Sequence, residues 1–255
     1  MIQKFNSELT SGVLLASVPQ SASTHTADKL STIGNMRIEN IARAMDPYGV
    51  REQDFDIKKL EGALRLNKNS SFIARQHMVC TNLILRLIKR KYLVPLVLTR
   101  NLPDVLVSLV DQHSLPNLDK GKVLFPKTLD SYDIESKCNY FIHFEIPWHL
   151  KFFTSWLRYV EFSKVWLRFE DFKENNQAYF DNITSILEIE KIDVETLHPR
   201  AIVSDDVTSK IRINRGMKGR GRKILNSRQI ELIEKMIELV GIPNEYKNYL
   251  LTGNI

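Results

Sequence analysis

The 255-residue sequence has no apolar run long enough to span a bilayer, and its first residues, MIQKFNSELTSG, lack the apolar core of a secretory signal. It has only two cysteines, Cys80 and Cys138, which form no CxxC pair. Neither the cysteines nor the six histidines show the spacing of metal ligands, so we expect no metal site. These absences predict a cytoplasmic protein whose thiols are reduced and buried. Hydrophobic content of 43% and charged content of 26% are typical of a globular domain.

The excess of positive charge is confined to one segment. The net charge is +6, yet eight basic residues and no acidic ones lie between positions 210 and 228, so the remainder of the chain carries −2. A local field of this kind suits a compact polyanion at least as well as a nucleic acid duplex. No aromatic residues alternate with these charges, as base stacking would require, and we therefore expect no nucleic acid partner.

Residues 95–108, PLVLTRNLPDVLVS, predict a buried strand followed by a helix. Pro103 suits the first turn of a helix, and Asp104 suits the positive end of its dipole. Arg100 and Ser108 would then face the sheet edge at which α/β folds bind ligands. A guanidinium, helix N–H groups and a hydroxyl at one place indicate an anion site, most simply for phosphate. An arginine paired with a neighbouring carboxylate is the alternative, and this stretch alone leaves both open.

An earlier junction has the same form. Residues 12–18, GVLLASV, predict a strand, and the small, hydroxyl-rich turn PQSASTHT leads into a helix over 24–33. Backbone N–H groups in such a turn can cradle a phosphate. The Walker A pattern GxxxxGK[ST] is absent, and for this stretch by itself a plain turn capped by serine is the favoured interpretation.

The remaining pattern completes an α/β arrangement. It predicts helices over 37–44, 57–66, 81–91, 175–189 and 227–240, and strands over 71–77 and 165–170. Because strands and helices alternate, we expect a single α/β domain over residues 1–255, with a central, mainly parallel sheet flanked by helices. Arg75 and His77 would share a face of their strand. The irregular stretch 114–130 is long enough to be a lid or an acceptor-binding loop.

Four of these motifs, taken in order, resemble those of the sulfotransferases that use 3′-phosphoadenosine-5′-phosphosulfate (PAPS), and look closest to bacterial members. PQSASTH from Pro19 resembles the 5′-phosphosulfate loop PKSGTTW, and RNLPDVLVS from Arg100 resembles the 3′-phosphate motif RNPxDxxxS. RFEDF from Arg168 resembles YEDL, and NRGMKG from Asn214 resembles the closing loop RKGxxG. The resemblance implies a P-loop-like sulfotransferase fold. It also implies transfer of a sulfuryl group from PAPS to a hydroxyl, less readily an amine, of an acceptor.

The resemblance assigns roles to individual residues. The 5′-phosphosulfate would be surrounded by Pro19, Gln20, Ser21, Ala22, Ser23, Thr24 and His25. The 3′-phosphate and the rest of the nucleotide would be held by Arg100, Ser108, Asn214, Arg215, Gly216, Lys218 and Gly219, with the basic loop 210–224 closing over them. Phe169 would lie beside the adenine. His77 would take the proton of the acceptor hydroxyl, although a structural imidazole at a strand end is the alternative.

The sequence also departs from the family pattern. Gln20 stands where the family has a lysine that reaches the leaving oxygen, so we expect Arg75 or a cation of the segment 210–223 to supply that charge. Ala22 replaces a glycine, His25 a tryptophan that stacks on adenine, and Asn214 an arginine. A nucleotide-binding protein of the same fold that has lost catalysis is therefore the alternative function. By analogy with bacterial members the acceptor is expected to be a carbohydrate; the residues do not indicate an oligomeric state.

Overall fold

The structure, a computed structural model, describes residues 12–42, 56–66, 71–90, 92–114, 127–158, 165–190, 193–194 and 217–254. The packing contacts of these residues separate into two compact units. The first unit contains the described residues up to Thr99 and those of 155–194. The second contains the described residues of 100–154 and 217–254. The single domain expected over residues 1–255 stays a prediction.

A parallel sheet forms the centre of the first unit. Its strands are β1 (Gly12–Ser17), β2 (Arg37–Ile38), β3 (Phe72–Gln76), β4 (Leu93–Thr99) and β5 (Trp166–Arg168). Their order across the sheet is β2-β3-β1-β4-β5, and every pairing between these described strands is parallel. β1 is buried along its whole length, because a central parallel strand is covered on both faces. The predicted α/β class and parallel sheet are confirmed.

The strand order places the carboxyl ends of β1, β3 and β4 side by side at one edge of the sheet. β1 lies between β3 and β4, with Ala16 opposite Gln76 and Ser17 opposite Leu98. The backbone N–H of Val18 continues this ladder and donates to the carbonyl oxygen of Leu98 at 3.1 Å. Because parallel strands end at the same edge, the segments that follow β1, β3 and β4 all begin there.

Polar capping residues mark the starts of several of the described helices. In chain order they are α1 (Ser23–Ile33), α2 (Ile57–Leu66), α3 (Asn82–Lys89), α4 (Leu102–His113), α5 (Ile134–Leu157), α6 (Phe169–Glu174), α7 (Asn176–Leu187), α8 (Gly221–Ile224), α9 (Ser227–Leu239) and α10 (Asn244–Thr252), with a 3₁₀ helix at Lys127–Ser131 before α5. Side chains of Thr81, Asn101, Asn175 and Asn226 accept N–H groups at the starts of α3, α4, α7 and α9. α1 differs, because Ala22 precedes it and provides no side-chain cap.

The second unit is helical in its described residues. Gln229 in the first turn of α9 is buried, and its Nε2 donates to Asn139 Oδ1 of α5 at 2.8 Å and to the Glu135 carbonyl oxygen at 3.2 Å. Near the other end of α5, the Phe153 and Tyr246 rings meet edge to face with centroids 5.7 Å apart. These contacts fasten α9 and α10 to α5.

Some predicted elements are wrong or too long. The helix expected over 37–44 is absent from its described part, because residues 37–38 form the edge strand β2 by pairing with Phe72 and Ile73 of β3. The strand expected over 165–170 covers only residues 166–168, because α6 begins at Phe169. Of the stretch 114–130, residues 115–126 lie outside the described residues, and 127–130 belong to the 3₁₀ helix. The helix α10 was not predicted.

No described helix is both long and apolar enough to cross a membrane. Within the same residues, no group of three or more histidine, cysteine, aspartate or glutamate side chains is arranged to hold a metal ion.

Candidate active site

His77 follows the last residue of β3, and the neighbouring strand β1 orients its ring. The Nδ1 atom lies 2.8 Å from the carbonyl oxygen of Ser17 and 3.2 Å from the Ser17 hydroxyl oxygen. A carbonyl oxygen can only accept, so in the neutral imidazole Nδ1 carries the hydrogen and donates it to Ser17. The lone pair then lies on Nε2. This is the tautomer that a general base acting through Nε2 requires.

Arg75 brings a positive charge to the start of α1. It is half-buried on β3, and its Nη1 donates to the Ser23 hydroxyl oxygen at 3.5 Å. Burial raises the pKa of the nearby Asp28 carboxyl, and the positive charge of Arg75 opposes that rise. Arg75, two residues before His77 in the sequence, therefore places a positive charge at the amino-terminal end of α1.

The turn between β1 and α1 has a backbone conformation that L-residues rarely adopt. Gln20 and Ala22 have φ angles of 64° and 63°, in the left-handed region. Ser21 lies between them, and its hydroxyl donates to the Val18 carbonyl oxygen at 2.6 Å, which closes the turn. Left-handed residues in a turn that enters a helix direct successive N–H groups to one side, a common geometry for binding anions. The first turn of α1, which includes Ser23 and Thr24, has no side-chain cap that would compete for these N–H groups.

Two predicted adenine neighbours pack in an aromatic cluster of the first unit. The His25 ring lies 5.2 Å from the Phe172 ring and 6.4 Å from the Phe180 ring, measured between centroids. Burial, followed by the positive charges of Lys29 and Lys173, lowers the pKa of His25 below its ordinary value of 6.5. Phe169 is 4% exposed, and its ring centroid lies 6.0 Å from that of Phe172.

The predicted 3′-phosphate residues of the second unit are buried. Arg100, directly after the last residue of β4, is 6% exposed, and Ser108 in α4 is 3% exposed. The Arg100 Nη2 atom donates to the Met217 carbonyl oxygen at 3.3 Å. This bond places the described end of the basic segment against the guanidinium.

Acidic residues of α4 hold the same end of the basic segment. Asp104 accepts the backbone N–H groups of Gly219 and Gly221, at 2.8 Å and 2.6 Å. Arg220 donates to both carboxylate oxygens of Asp111. Lys218 is exposed between these attachments. The predicted ligands Asn214, Arg215 and Gly216 lie outside the described residues.

The sequence patterns did not predict the roles of two residues that organise these sites. Ser17 sets the tautomer of His77, and the signal was the strand order, since β1 beside β3 places Ser17 next to the residue after Gln76. Asp104 was assigned only to the helix dipole. Its bonds to residues more than a hundred positions later carry no local signature.

Comparison with known proteins identifies the fold. No protein-family model matches the sequence, and no curated protein is significantly similar to it. Among solved structures, mouse sulfotransferase SULT7A1 complexed with PAP (3′-phosphoadenosine-5′-phosphate) aligns with a TM-score of 0.65 at 15% identity, covering 94% of this chain and 88% of that chain. A retinol dehydratase in complex with retinol and PAP aligns with a TM-score of 0.59 at 15% identity, covering 92% and 83%.

A third structure, retinol dehydratase in complex with androsterone and inactive cofactor PAP, aligns with a TM-score of 0.57 at 14% identity, covering 92% of this chain and 82% of that chain. The predicted likeness to bacterial members stays a prediction. The three alignments each span most of the chain and share a bound nucleotide. The protein therefore has the fold of the PAPS-dependent sulfotransferases.

Proposed function

We propose that the protein transfers a sulfuryl group from PAPS to a hydroxyl, less readily an amine, of an acceptor in the cytoplasm. The observation that carries the proposal is the bond from Nδ1 of His77 to the Ser17 carbonyl oxygen, 2.8 Å long, which leaves the lone pair on Nε2. This imidazole stands at the sheet edge where the turn of residues 19–22 begins. The fold adds support, because the similar structures contain PAP, the product that PAPS leaves after transfer.

The donor set of the first unit suits the 5′ end of PAPS. The turn of residues 19–25 offers uncapped helix N–H groups and the hydroxyls of Ser23 and Thr24. Arg75, bonded to the Ser23 hydroxyl, adds a positive charge that Gln20 cannot supply. Charge-assisted bonds of this kind are what a phosphosulfate prefers. We assign to Arg75 the role that the loop lysine has in the family, which is to stabilise negative charge on the departing phosphate oxygen.

The proposed reaction exchanges one sulfur–oxygen bond for another. The acceptor oxygen attacks sulfur and forms a new S–O bond, while the bond from sulfur to the 5′-phosphate oxygen breaks. His77 Nε2 takes the acceptor proton, and the phosphate oxygen keeps the electron pair of the broken bond, which gives PAP. Positioning and electrostatic stabilisation supply most of the catalysis, as in phosphoryl transfer.

The second unit offers cations and a hydroxyl for the 3′-phosphate. We assign that phosphate to Arg100 and Ser108, with Lys218 and Gly219 of the basic segment. Asn214, Arg215 and Gly216 are proposed to join them on the strength of the motif alone. Phe169 is proposed to lie at the adenine, and no metal takes part.

The acceptor is proposed to be a carbohydrate. The support is the aromatic content of α5, where the Tyr140 and Phe144 rings stack with centroids 4.5 Å apart and Phe144 is 59% exposed. Exposed aromatic faces are suited to sugar rings. Two similar structures hold retinol or androsterone instead, so small apolar alcohols are the competing acceptor class.

The direct test is transfer of labelled sulfate from PAPS to a panel of glycans, with retinoid and sterol alcohols as a second arm. We expect His77→Ala to lower kcat by about 10²- to 10⁴-fold, the usual contribution of a general base. Its affinity for PAP, measured by calorimetry, should be unchanged. His143→Ala, which removes an exposed histidine of α5, is the matched control and should keep wild-type activity. Transfer by His77→Ala at the wild-type rate would overturn the assigned base.

A catalytically decayed nucleotide-binding protein is the second candidate, and Gln20 in place of the loop lysine favours it. A decayed protein would bind PAP in calorimetry but would transfer sulfate neither to the glycans nor to the retinoid and sterol alcohols. The variant Gln20→Lys separates the two functions further. If the protein has lost catalysis, this substitution should create sulfuryl transfer. If the protein is active and Arg75 supplies the positive charge, the substitution should change the transfer rate only modestly.

A further inference from the structure

Asp104 connects two parts of the second unit that lie far apart in sequence. Its carboxylate, in a residue that is 2% exposed, accepts three hydrogen bonds. The donors are the backbone N–H of Gly219 at 2.8 Å, the backbone N–H of Gly221 at 2.6 Å and Asn101 Nδ2 at 3.0 Å. We call the two bonds to the glycines the clasp. The clasp uses both carboxylate oxygens, so a side chain with a single acceptor oxygen cannot make both of its bonds.

The chain that enters the clasp is fitted to it at both glycines. Gly219 has a φ angle of 74°, which L-residues rarely adopt. A Cβ atom on Gly221 would lie 2.1 Å from the carbonyl carbon of Pro103 and 2.6 Å from the backbone nitrogen of Asp104. Only a residue without a side chain allows residues 219–221 to reach the start of α4. The clasp therefore defines one position for this part of the basic segment.

This position bears on the proposed phosphate ligands. Two residues before the first clasp bond, the Met217 carbonyl oxygen accepts from Arg100 Nη2 at 3.3 Å. Lys218 lies between Met217 and Gly219. A segment held at Gly219 and Gly221 consequently keeps Met217 beside the Arg100 guanidinium, and Lys218 is the next residue of the chain.

We propose that Asp104 is a positioning residue for the nucleotide. It holds residues 217–219 against the start of α4, so that Arg100 and Lys218 act on the same phosphate group. This inference rests on the proposed function, because the phosphate is taken to be the 3′-phosphate of PAPS. Asp104 itself touches neither the nucleotide nor the acceptor.

The variant Asp104→Asn tests the proposal, because asparagine has one acceptor oxygen for two N–H donors. We expect its Kd for PAP, and its KM for PAPS, to rise by about 10- to 100-fold, as is usual when a buried donor loses a charged acceptor. The kcat and the KM for the acceptor should change less than about threefold. Asp133→Asn is the matched control. Asp133 is an exposed aspartate of the same unit that accepts the Ser136 N–H at 2.7 Å, and the variant should bind PAP as the wild type does.

A second readout does not depend on the nucleotide. Amide hydrogen exchange at Gly219 and Gly221 should accelerate in Asp104→Asn and not in Asp133→Asn. Gly221→Ala breaks the clasp from the opposite side without changing a charge, and it should weaken PAP binding similarly. If Asp104→Asn fails to fold, Gly221→Ala decides the question.

The outcomes separate the two proposals. Loss of affinity in both clasp variants, with kcat preserved, supports the positioning role. Wild-type affinity in Asp104→Asn overturns it, and so does an equal loss in kcat and in every KM, which indicates general disruption. If the wild-type protein itself does not bind PAP, the proposed function fails together with the nucleotide role of Asp104. The exchange rates then still report whether the clasp holds the segment.

Discussion

The left-handed backbone of Ala22 makes a direct prediction about stability. At this conformation, φ 63° and ψ 23°, an L-residue loses about 1–2 kcal/mol relative to ordinary backbone. Glycine adopts it without steric cost but loses more entropy on folding, which offsets part of the gain. We therefore expect Ala22→Gly to raise the free energy of unfolding by about 0.5–1 kcal/mol, measured by urea denaturation.

The control is an alanine of the adjoining helix. Ala27 is buried inside α1, and glycine there should lower the free energy of unfolding by about 1 kcal/mol or more. If both substitutions destabilise the protein equally, the left-handed conformation of Ala22 does not exist in solution.

His25 predicts a pH dependence of stability. Its pKa in the folded protein lies below 6.5, because burial and then Lys29 and Lys173 disfavour the charged ring. In the unfolded chain the pKa returns to its ordinary value, so the unfolded state binds more protons as the pH falls. The contribution of His25 to stability is thus full above pH 6.5 and declines as the pH falls towards the lower pKa of the folded state.

We expect the wild-type protein to lose more unfolding free energy than His25→Gln between about pH 7.5 and pH 5.5. Denaturant titrations at each pH measure the difference. NMR titration of the His25 ring should give a midpoint below 6.5. Parallel pH profiles of the two proteins would contradict the lowered pKa.

At the level of helices and strands, the sequence predicts what local signals determine. The apolar run of β1 and the amphipathic pattern of α2 were located almost to the residue. β2 could not be located in this way, because its two residues are a strand only by pairing with β3. The orientation of His77 has the same limit, since it depends on Ser17, 60 residues earlier. Contacts between distant segments are invisible to local periodicity.

The start of α9 offers a test of element docking. The Gln229 side chain accepts the Asn226 N–H at 3.1 Å, and it also donates to Asn139 and to the Glu135 backbone. Gln229→Ala removes one half of the capping box, since Asn226 remains as the N-cap, and deletes three hydrogen bonds of a buried side chain. At about 0.5–1.5 kcal/mol for each bond, the loss should be about 2–3 kcal/mol of unfolding free energy. Asn175→Ala removes only an exposed cap, that of α7, and should cost about 1 kcal/mol. Equal losses in chemical denaturation would show that α9 is not fastened through Gln229.

At the scale of the whole molecule, the motifs predicted the fold class that the structural comparisons support, although identity with the similar structures is only 14–15%. Charge gave less information. It located a basic segment but not its partners, because the Asp104 clasp depends on how the chain returns to α4. The nucleotide assignment needs an experiment in which the ligand and the protein are altered together.

PAP at about 100 times its Kd should stabilise the protein by about 2.7 kcal/mol, which raises Tm by about 5–10 °C for a chain of this size. 5′-AMP lacks the 3′-phosphate and should give a smaller shift at the same concentration. In Arg100→Ala the PAP shift should fall towards the 5′-AMP value without reaching it, because Ser108 and Lys218 are assigned to the same phosphate. The 5′-AMP shift should stay unchanged, because 5′-AMP has no 3′-phosphate for Arg100 to contact. Arg86→Ala, which removes an exposed arginine of α3, should leave both shifts intact. If Arg100→Ala reduced the two shifts equally, Arg100 would act on the fold or on another part of the nucleotide, and the assignment of the 3′-phosphate to it would be wrong.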